Sequence, residues 1–184
     1  GNTIYLETKS AFSYEKINNP FKNFIIANSG VEKKTDLVLK KLKSKTISSI
    51  ENLRINNPTF NLNKIAVNDI DKYENQMNKT SFRYFKAAVL NHSITQAAFL
   101  ELKKKNPSLN HLGILMNRHH KILKNDLSIT VPLIDKMVDL AFENGAYGAK
   151  IIGSGGGGSI LILANEKDEK RIINKMYNAG AKEV

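Results

Sequence analysis

Residues 149–164 read Ala-Lys-Ile-Ile-Gly-Ser-Gly-Gly-Gly-Gly-Ser-Ile-Leu-Ile-Leu-Ala, and this stretch decides the fold. Two short runs rich in apolar and β-branched residues, 149–152 and 159–164, stand on either side of a glycine-rich segment. Short apolar runs bounded by turn residues are typical of strands. The stretch therefore predicts a strand, a glycine-rich loop and a second strand.

The glycine-rich loop is the part of the sequence that carries chemistry. Residues without a Cβ let successive backbone N–H groups turn inward and form a nest for phosphate oxygens. The candidate phosphate- or substrate-binding residues are Gly153, Ser154, Gly155, Gly156, Gly157, Gly158 and Ser159. We expect Gly155 to Gly158 to supply the N–H groups, while Ser154 and Ser159 either donate hydroxyl hydrogen bonds or only shape the turn.

The alternative for this loop is a hairpin tip without a ligand. Each glycine costs about 0.5–1 kcal/mol relative to Ala because it is freer in the unfolded chain. Four in a row favour a ligand that offsets this cost. Two better-known phosphate motifs fail here, since a dinucleotide fingerprint must open a helix and a P-loop needs Gly-Lys-Ser or Gly-Lys-Thr.

The rest of the chain predicts two more strands and a series of helices. The strands are 3–7 and 23–28, separated by the turn signal Asn18-Asn19-Pro20. Apolar spacing predicts helices over 34–53, 62–76, 81–105 and 109–123. Thr130 and Pro132 open another helix that Asn144-Gly145 closes, and Asn165 with Asp168 caps a last helix reaching Asn178. The order favours an α+β domain whose small, mainly antiparallel sheet is covered by helices.

Three segments resemble one family of enzymes. Residues 145–159, Gly-Ala-Tyr-Gly-Ala-Lys-Ile-Ile-Gly-Ser-Gly-Gly-Gly-Gly-Ser, resemble the third conserved motif of the galactokinase, homoserine kinase, mevalonate kinase and phosphomevalonate kinase (GHMP) superfamily. Residues 112–123, Leu-Gly-Ile-Leu-Met-Asn-Arg-His-His-Lys-Ile-Leu, with residues 130–135, resemble the galactokinase segment before that loop. Residues 24–35, Phe-Ile-Ile-Ala-Asn-Ser-Gly-Val-Glu-Lys-Lys-Thr, resemble the front of this domain in galactokinases and mevalonate kinases.

The resemblance implies a GHMP kinase C-terminal domain over residues 1–184, with residues 1–20 as the possible end of a preceding N-terminal domain. It implies ATP-dependent phosphorylation of a hydroxyl on a small metabolite, with ATP and Mg²⁺ as cofactors. A sugar is the favoured substrate, as in galactokinases, and mevalonate or a heptose phosphate is the alternative. The family's catalytic aspartate and its ATP-binding loop would precede Gly1, in the N-terminal half of the same polypeptide. We therefore expect this chain alone to fold but to transfer no phosphate.

Composition restricts the other possibilities. The chain has 184 residues, no cysteine and a net charge of +11, with basic residues concentrated in 32–45 and 103–124. A basic surface attracts phosphate-bearing partners, so a non-catalytic anion- or nucleic-acid-binding domain is the alternative of another class. The sequence lacks the aromatic and basic interleaving typical of nucleic-acid binders, which disfavours nucleic acid. It also shows no apolar run long enough for a membrane span and no signal peptide, and we expect a cytoplasmic protein.

A few polar residues outside the loop are further candidates. His119 and His120 with Asp126 suggest acid–base work, but adjacent helical residues point in different directions, so we expect neither catalysis nor a metal site. Asn28 and Ser29 are candidate substrate-side groups or the N-cap of the following helix. Lys150 either approaches a phosphate from its strand or is a solvated edge lysine.

Overall fold

The computed structural model describes residues 3–8, 12–17, 24–33 and 35–184. The strands are β1 (Thr3–Thr8), β2 (Phe12–Ile17), β3 (Phe24–Asn28), β4 (Ala146–Ile151) and β5 (Ser159–Ala164). The helices are α1 (Thr35–Asn56), α2 (Lys79–Leu102), α3 (Leu109–Lys121), α4 (Pro132–Glu143) and α5 (Glu166–Ala179). Two 3-10 segments, Leu62–Lys64 and Val67–Gln76, lie between α1 and α2, and a π-helical turn, Ile122–Asp126, follows α3.

The strands form two small antiparallel sheets. β3, β5 and β4 make a three-stranded sheet in that order, with β5 in the centre, and β1 pairs with β2 in a separate two-stranded sheet. The predicted α+β class with a mainly antiparallel sheet and covering helices is confirmed. β2 was not predicted, and the turn signal at residues 18–20 lies outside the described residues.

The main core lies between the three-stranded sheet and helices α4 and α5. Alternate residues of β5, Ile160 and Ile162, are fully buried on this face, where Ile134 of α4 and Ile172 of α5 meet them. This two-residue alternation on the strand and the apolar stripes of the two helices are the patterns on which the sequence predictions rested. The strand and both helices are confirmed for that reason.

A second core joins α1, α2 and the 3-10 segments through Leu53, Phe60, Ile70, Phe85 and Val89. The predicted helix over 62–76 is wrong. The chain instead extends at Ala66 and forms 3-10 bonds, such as Asp69 N–H to Ala66 O at 3.0 Å. Asn and Asp are frequent here and favour short local turns over a continuous α-helix, although the apolar side chains still reach the core.

The helix ends follow the local chemistry in most places. Asn78 and Ser108 cap α2 and α3 by accepting hydrogen bonds from the N–H groups of Ser81 and His111. Pro132 occupies the first turn of α4, and Gly180, at φ 106°, ends α5. Asn165 occupies the N-cap position of α5 as predicted, but its side chain makes no capping hydrogen bond.

Glu101 fixes the corner between α2 and α3. Its carboxylate is 3% exposed and accepts a hydrogen bond from Ser108 N–H at 2.8 Å. It also contacts Lys104 Nζ at 2.6 Å and His111 Nδ1 at 2.8 Å. The hydrogen bond from Lys104 and the backbone bond from Ser108 lower the pKa of Glu101 to about 2. The carboxylate therefore stays charged and holds the start of α3 against the end of α2.

The two-stranded sheet of β1 and β2 contacts α2. The ring of Tyr5 stacks on Phe99 with 4.1 Å between centroids, and its hydroxyl accepts a 2.6 Å hydrogen bond from Gln96 Nε2. Glu15 pairs with Lys103 at 2.8 Å. The assignment of residues 1–20 to a preceding domain stays a prediction. None of the described helices is long and apolar enough to cross a membrane.

Helix α3 crosses β4 at an unusually short distance because two glycines face each other there. A Cβ on Gly148 would lie 2.5 Å from the Cα of Gly113, and a Cβ on Gly113 would overlap the carbonyl of Tyr147. Asn117, one turn further along α3, accepts a 3.0 Å hydrogen bond from Ala149 N–H. The two glycines thus let the helix backbone lie directly on the strand that leads into the glycine-rich loop.

This close approach predicts a reversed sign for a common helix substitution. Replacing glycine with alanine inside a helix usually stabilises by about 1 kcal/mol. We expect Gly113→Ala to lower the free energy of unfolding instead, by about 1–3 kcal/mol, because the new methyl group forces α3 off β4. Urea unfolding followed by circular dichroism measures the change.

The neighbouring variant Ile114→Ala is the control, since Ile114 lies in the same turn of α3 and is 47% exposed. It should change the free energy of unfolding far less than Gly113→Ala. A stabilising effect of Gly113→Ala would show that the close contact between α3 and β4 does not exist in solution.

Candidate functional site

The glycine-rich loop connects β4 to β5 and has a backbone that other residues rarely adopt. Ile152 N–H donates a 3.0 Å hydrogen bond to Ser159 O and closes the hairpin. Positive φ angles occur at five loop positions, namely Gly153, Gly155, Gly156, Gly157 and Gly158. Residues with a Cβ pay a steric penalty in this region, so the glycine run is required by the conformation of the loop.

Two of the loop's N–H groups hold the loop in place. Gly156 N–H donates to Ile129 O at 2.7 Å, and Gly158 N–H donates to Val31 O at 3.0 Å. We expected all four N–H groups of Gly155 to Gly158 to face a ligand. The described residues leave only those of Gly155 and Gly157 available. Gly156 and Gly158 bind protein carbonyls instead.

The remaining glycine N–H groups form the candidate anion site. Among the described residues, the N–H groups of Gly153, Gly155 and Gly157 have no acceptor. Gly155 and Gly157 are also buried, whereas Gly153 is exposed. Buried N–H groups are nearly always paired, so unpaired N–H groups in two buried residues of one loop favour an external acceptor.

Neighbouring backbone leaves no room for side chains at these positions. A Cβ on Gly155 would lie 2.5 Å from Ile129 O, and one on Gly157 would lie 2.6 Å from Val31 O. The loop therefore packs between Val31, in the segment after β3, and Ile129, in the segment before α4. Its shape depends on both.

Ser29 and Asn28 stabilise the segment after β3, and Ser29 also binds the loop. Ser29 is 5% exposed; its hydroxyl donates to Gly158 O at 2.6 Å, and its own N–H donates to the same oxygen at 2.8 Å. Asn28 Oδ1 accepts a 3.0 Å hydrogen bond from Gly30 N–H. The reading of either residue as a helix N-cap is wrong, because α1 begins only at Thr35. Their role toward a substrate stays a prediction.

The two loop serines take different positions. Ser154 is partly buried, with its hydroxyl 3.5 Å from Gly155 O. Ser159 is the first residue of β5 and pairs with Asn28 of β3. Ser154 therefore belongs to the nest, whereas Ser159 belongs to the sheet that carries it.

Lys33 is the cation of the site, and the sequence patterns did not single it out. Its side chain lies against the loop: a Cβ on Gly153 would be 2.9 Å from Lys33 Nζ, and a Cβ on Gly158 would overlap Lys33 Cε. A lysine beside such a loop adds a full positive charge to the dipoles of its N–H groups. The combination suits a phosphate group.

Comparison with known proteins assigns part of the chain to a family. Residues 97–182 match the family model described as GHMP kinases C terminal. They include α3, α4, the loop and both of its strands. These residues belong to the GHMP kinase C-terminal family. The predicted resemblance is confirmed, and residues 97–182 are called the GHMP domain below.

Relatives of the chain include two kinds of kinase. A mevalonate kinase of Methanocaldococcus jannaschii is 42% identical over 64 residues, which are 35% of this chain and 20% of that protein. A galactokinase of Glaesserella parasuis is 36% identical over 110 residues, covering 55% of this chain and 27% of that protein.

The fold is shared with a solved galactokinase. The structure of Lactococcus lactis galactokinase complexed with galactose matches 91% of this chain and 44% of its own, with a TM-score of 0.81 and 19% identity. At this identity the match shows the fold alone. The chain thus spans less than half the length of each of these relatives.

The two adjacent histidines of the GHMP domain point to different places, as predicted. His120 is 5% exposed and links three elements: its Nδ1 accepts a 3.3 Å hydrogen bond from Ile151 N–H, and its Nε2 lies 3.4 Å from Asp135 Oδ1. His119 lies on the other side of α3, in an apolar cavity beside Lys150. No group of His, Asp and Glu within the described residues could hold a metal ion.

Lys150 is not the solvated edge lysine of one of its two predicted readings, and its approach to a phosphate stays a prediction. It is half-buried in the same cavity as His119, and its Nζ donates a 2.9 Å hydrogen bond to Ile151 O. Burial lowers its pKa. The solvated-edge reading is therefore wrong, and Lys33 rather than Lys150 contacts the loop.

Burial of His119 predicts a dependence of stability on pH. Desolvation, then the nearby charges of Lys150 and His120, lower the pKa of His119 from 6.5 to about 4. Between these two values the unfolded chain binds more protons than the folded chain. The free energy of unfolding should therefore fall on acidification from pH 6.5 to 4, by on the order of 2 kcal/mol from this residue.

Urea unfolding at several pH values tests this. His119→Leu removes the titrating group and should flatten the dependence in that window. Burial also lowers the pKa of His120, so part of the dependence will remain. The exposed His92 provides the control variant His92→Gln, which should follow the unchanged protein. Parallel curves for His119→Leu and the unchanged protein would contradict the assignment.

Proposed function

We propose that this chain is the C-terminal half of a small-molecule kinase, and that its glycine-rich loop binds the phosphoryl group transferred from ATP to a substrate hydroxyl. The observation that carries the proposal is that Gly155 and Gly157 are buried and their N–H groups have no acceptor among the described residues, while the side chain of Lys33 lies against the same loop at Gly153 and Gly158. The relatives support the reaction class, because galactokinases and mevalonate kinases are both phosphotransferases.

The loop contributes electrostatic stabilisation to such a transfer. Charge on the equatorial oxygens of the phosphoryl group would be met by fixed N–H dipoles that need no reorganisation. Lys33 would neutralise a further part of that charge. Ser29 and the carbonyls of Val31 and Ile129 would act indirectly, by holding the dipoles in position.

ATP and Mg²⁺ remain part of the proposal. The unpaired N–H groups and Lys33 fit one phosphate group of a nucleotide. The described residues offer no cluster of carboxylates for a metal, so the ligands of a Mg²⁺ ion that accompanies ATP would be the nucleotide phosphates and groups beyond these residues. The attacking hydroxyl and its base would likewise meet the loop from the preceding half of the polypeptide.

A sugar is the first substrate to test. Galactokinases match the chain over the greater part of its length, and the Lactococcus lactis enzyme shares its fold. Mevalonate is the second candidate, because the mevalonate kinase match is 42% identical over its 64 residues. A heptose phosphate is the third.

ADP release by the complete gene product tests the reaction. With Mg-ATP and galactose, mevalonate or a heptose phosphate, we expect turnover with one of them and none by the 184-residue chain alone. Gly157→Ala should lower kcat by roughly a hundredfold or more, because the new Cβ displaces Val31 and moves the N–H dipoles.

Gly180→Ala is the matched control for this variant. Gly180 has a similar positive φ of 106°, but it ends α5, and a Cβ there would contact only Leu133 at 3.9 Å. It should therefore impose backbone strain without lowering kcat. Equal turnover in the two glycine variants would show that the loop takes no part in the reaction. Turnover by the isolated chain would show that the preceding half of the polypeptide is not needed for catalysis.

Lys33 is tested separately. Lys33→Met keeps the length of the side chain and removes its charge, and we expect kcat to fall roughly ten- to hundredfold, as for loss of a hydrogen bond to a charged group. Lys43→Met, at an exposed position of α1, is the control and should leave kcat unchanged. An unchanged kcat in Lys33→Met would show that the cation over the loop takes no part.

A further inference from the structure

The apolar cavity that holds His119 and Lys150 lies on the face of the three-stranded sheet opposite the main core. Its volume is about 400 Å³, and β1, α2, α3 and the sheet enclose it. Residues of β5 alternate between the two faces: Ile160 and Ile162 enter the main core, whereas Leu161 and Leu163 line this cavity. None of the loop residues 153–158 lines it.

The lining is almost entirely apolar. Ile94 and Phe99 of α2, Leu112 and Leu115 of α3, and Leu161 of β5 supply much of it. Cavities of about 300–1,000 Å³ with an apolar lining and a few polar groups are typical of sites for small organic ligands. The space is therefore large enough for a molecule with a hydrocarbon body.

Two basic side chains enter this apolar space without an acidic partner. Lys150 and His119 both line the cavity, whereas no Asp or Glu among the described residues does. Within the described part of the chain, the ammonium of Lys150 donates to Ile151 O, and none of the ion pairs includes Lys150. An ammonium held among apolar groups is costly unless an anion meets it.

We propose that this cavity binds an amphipathic carboxylic acid, with its hydrocarbon chain among the leucine and phenylalanine side chains and its carboxylate on Lys150. His119 stands beside the carboxylate as a neutral hydrogen-bonding group, since its burial disfavours the charged form. A single carboxylate suits the site better than a phosphate dianion, because one half-buried lysine supplies one compensating charge. The site neither requires nor contributes to phosphoryl transfer at the loop.

Binding of decanoate and decanol to the complete gene product tests this by isothermal titration calorimetry at neutral pH. The two molecules share a hydrocarbon chain and differ in the charged head. We expect decanoate to bind with one molecule per chain and decanol to bind roughly ten- to hundredfold more weakly. This comparison uses the unchanged protein and depends on no variant folding correctly.

Two variants then locate the site. Lys150→Met should weaken decanoate binding to the level of decanol, whereas Lys175→Met, at an exposed position of α5, should leave both unchanged. Ala98→Phe places a ring in the cavity from α2 and should abolish binding of both molecules. Thermal unfolding establishes that each variant is folded.

Three outcomes would overturn the proposal. Equal affinities for decanoate and decanol would show that Lys150 does not receive a carboxylate. Unchanged decanoate binding in Ala98→Phe would place the ligand elsewhere. Binding to the 184-residue chain but not to the complete gene product would show that the cavity is filled by the preceding half of the polypeptide. ADP release is measured in parallel, and its absence would affect only the proposed kinase function.

Discussion

The antiparallel pairing of β3 with β5 fixes the position of the glycine-rich loop. It does not stop at the ends of the two strands. Asn28 pairs with Ser159, Ser29 then donates to Gly158 O, and Gly158 in turn donates to Val31 O. The ladder thus continues into the glycine-rich loop and fixes one side of it. A loop with five positive-φ glycines would otherwise have many accessible conformations.

The other side of the loop depends on packing far from it. Ile129, whose carbonyl holds Gly156, lies in the connection between α3 and α4. α3 itself is positioned by the contact of Gly113 with Gly148 and by Asn117 on β4. A helix crossing, a strand pair and a short connection therefore converge on a few N–H groups. This explains how a segment of glycines can present ordered dipoles, which is what electrostatic stabilisation of a transferring group requires.

The three-stranded sheet separates a packed core on one face from a cavity on the other. On one side, β5 buries Ile160 and Ile162 against α4 and α5 in a fully apolar core. On the other side, the intervening residues face a cavity that holds Lys150 and His119. The same two-residue alternation produces both faces, yet only one is filled by the described residues. A stable scaffold on one face is compatible with an open site on the other.

Much of this fold and part of the site could be predicted from local sequence. β5, α2 to α5 and the glycine-rich loop follow from periodicity, caps and turn residues, which act over a few neighbouring positions. The loop's glycines also predicted an anion-binding nest, because positive φ is a property of the residue itself. In residues 62–76 the apolar spacing favours a helix, whereas the Asn and Asp residues favour turns. Periodicity alone predicted a helix there, but the chain forms 3-10 turns.

Which of the loop's N–H groups bond to protein carbonyls, and which cation lies beside the loop, depends on the tertiary structure. Lys33 is far from the loop in sequence and reaches it because β3 pairs with β5, while Lys150, beside the loop in sequence, points to the opposite face of the sheet. The sequence determines the local backbone because helix caps, turn residues and apolar periodicity act between neighbouring residues. The partners of Gly156, Gly158 and Lys150 are set by contacts between distant segments, and these exist only once the sheet and α3 have packed.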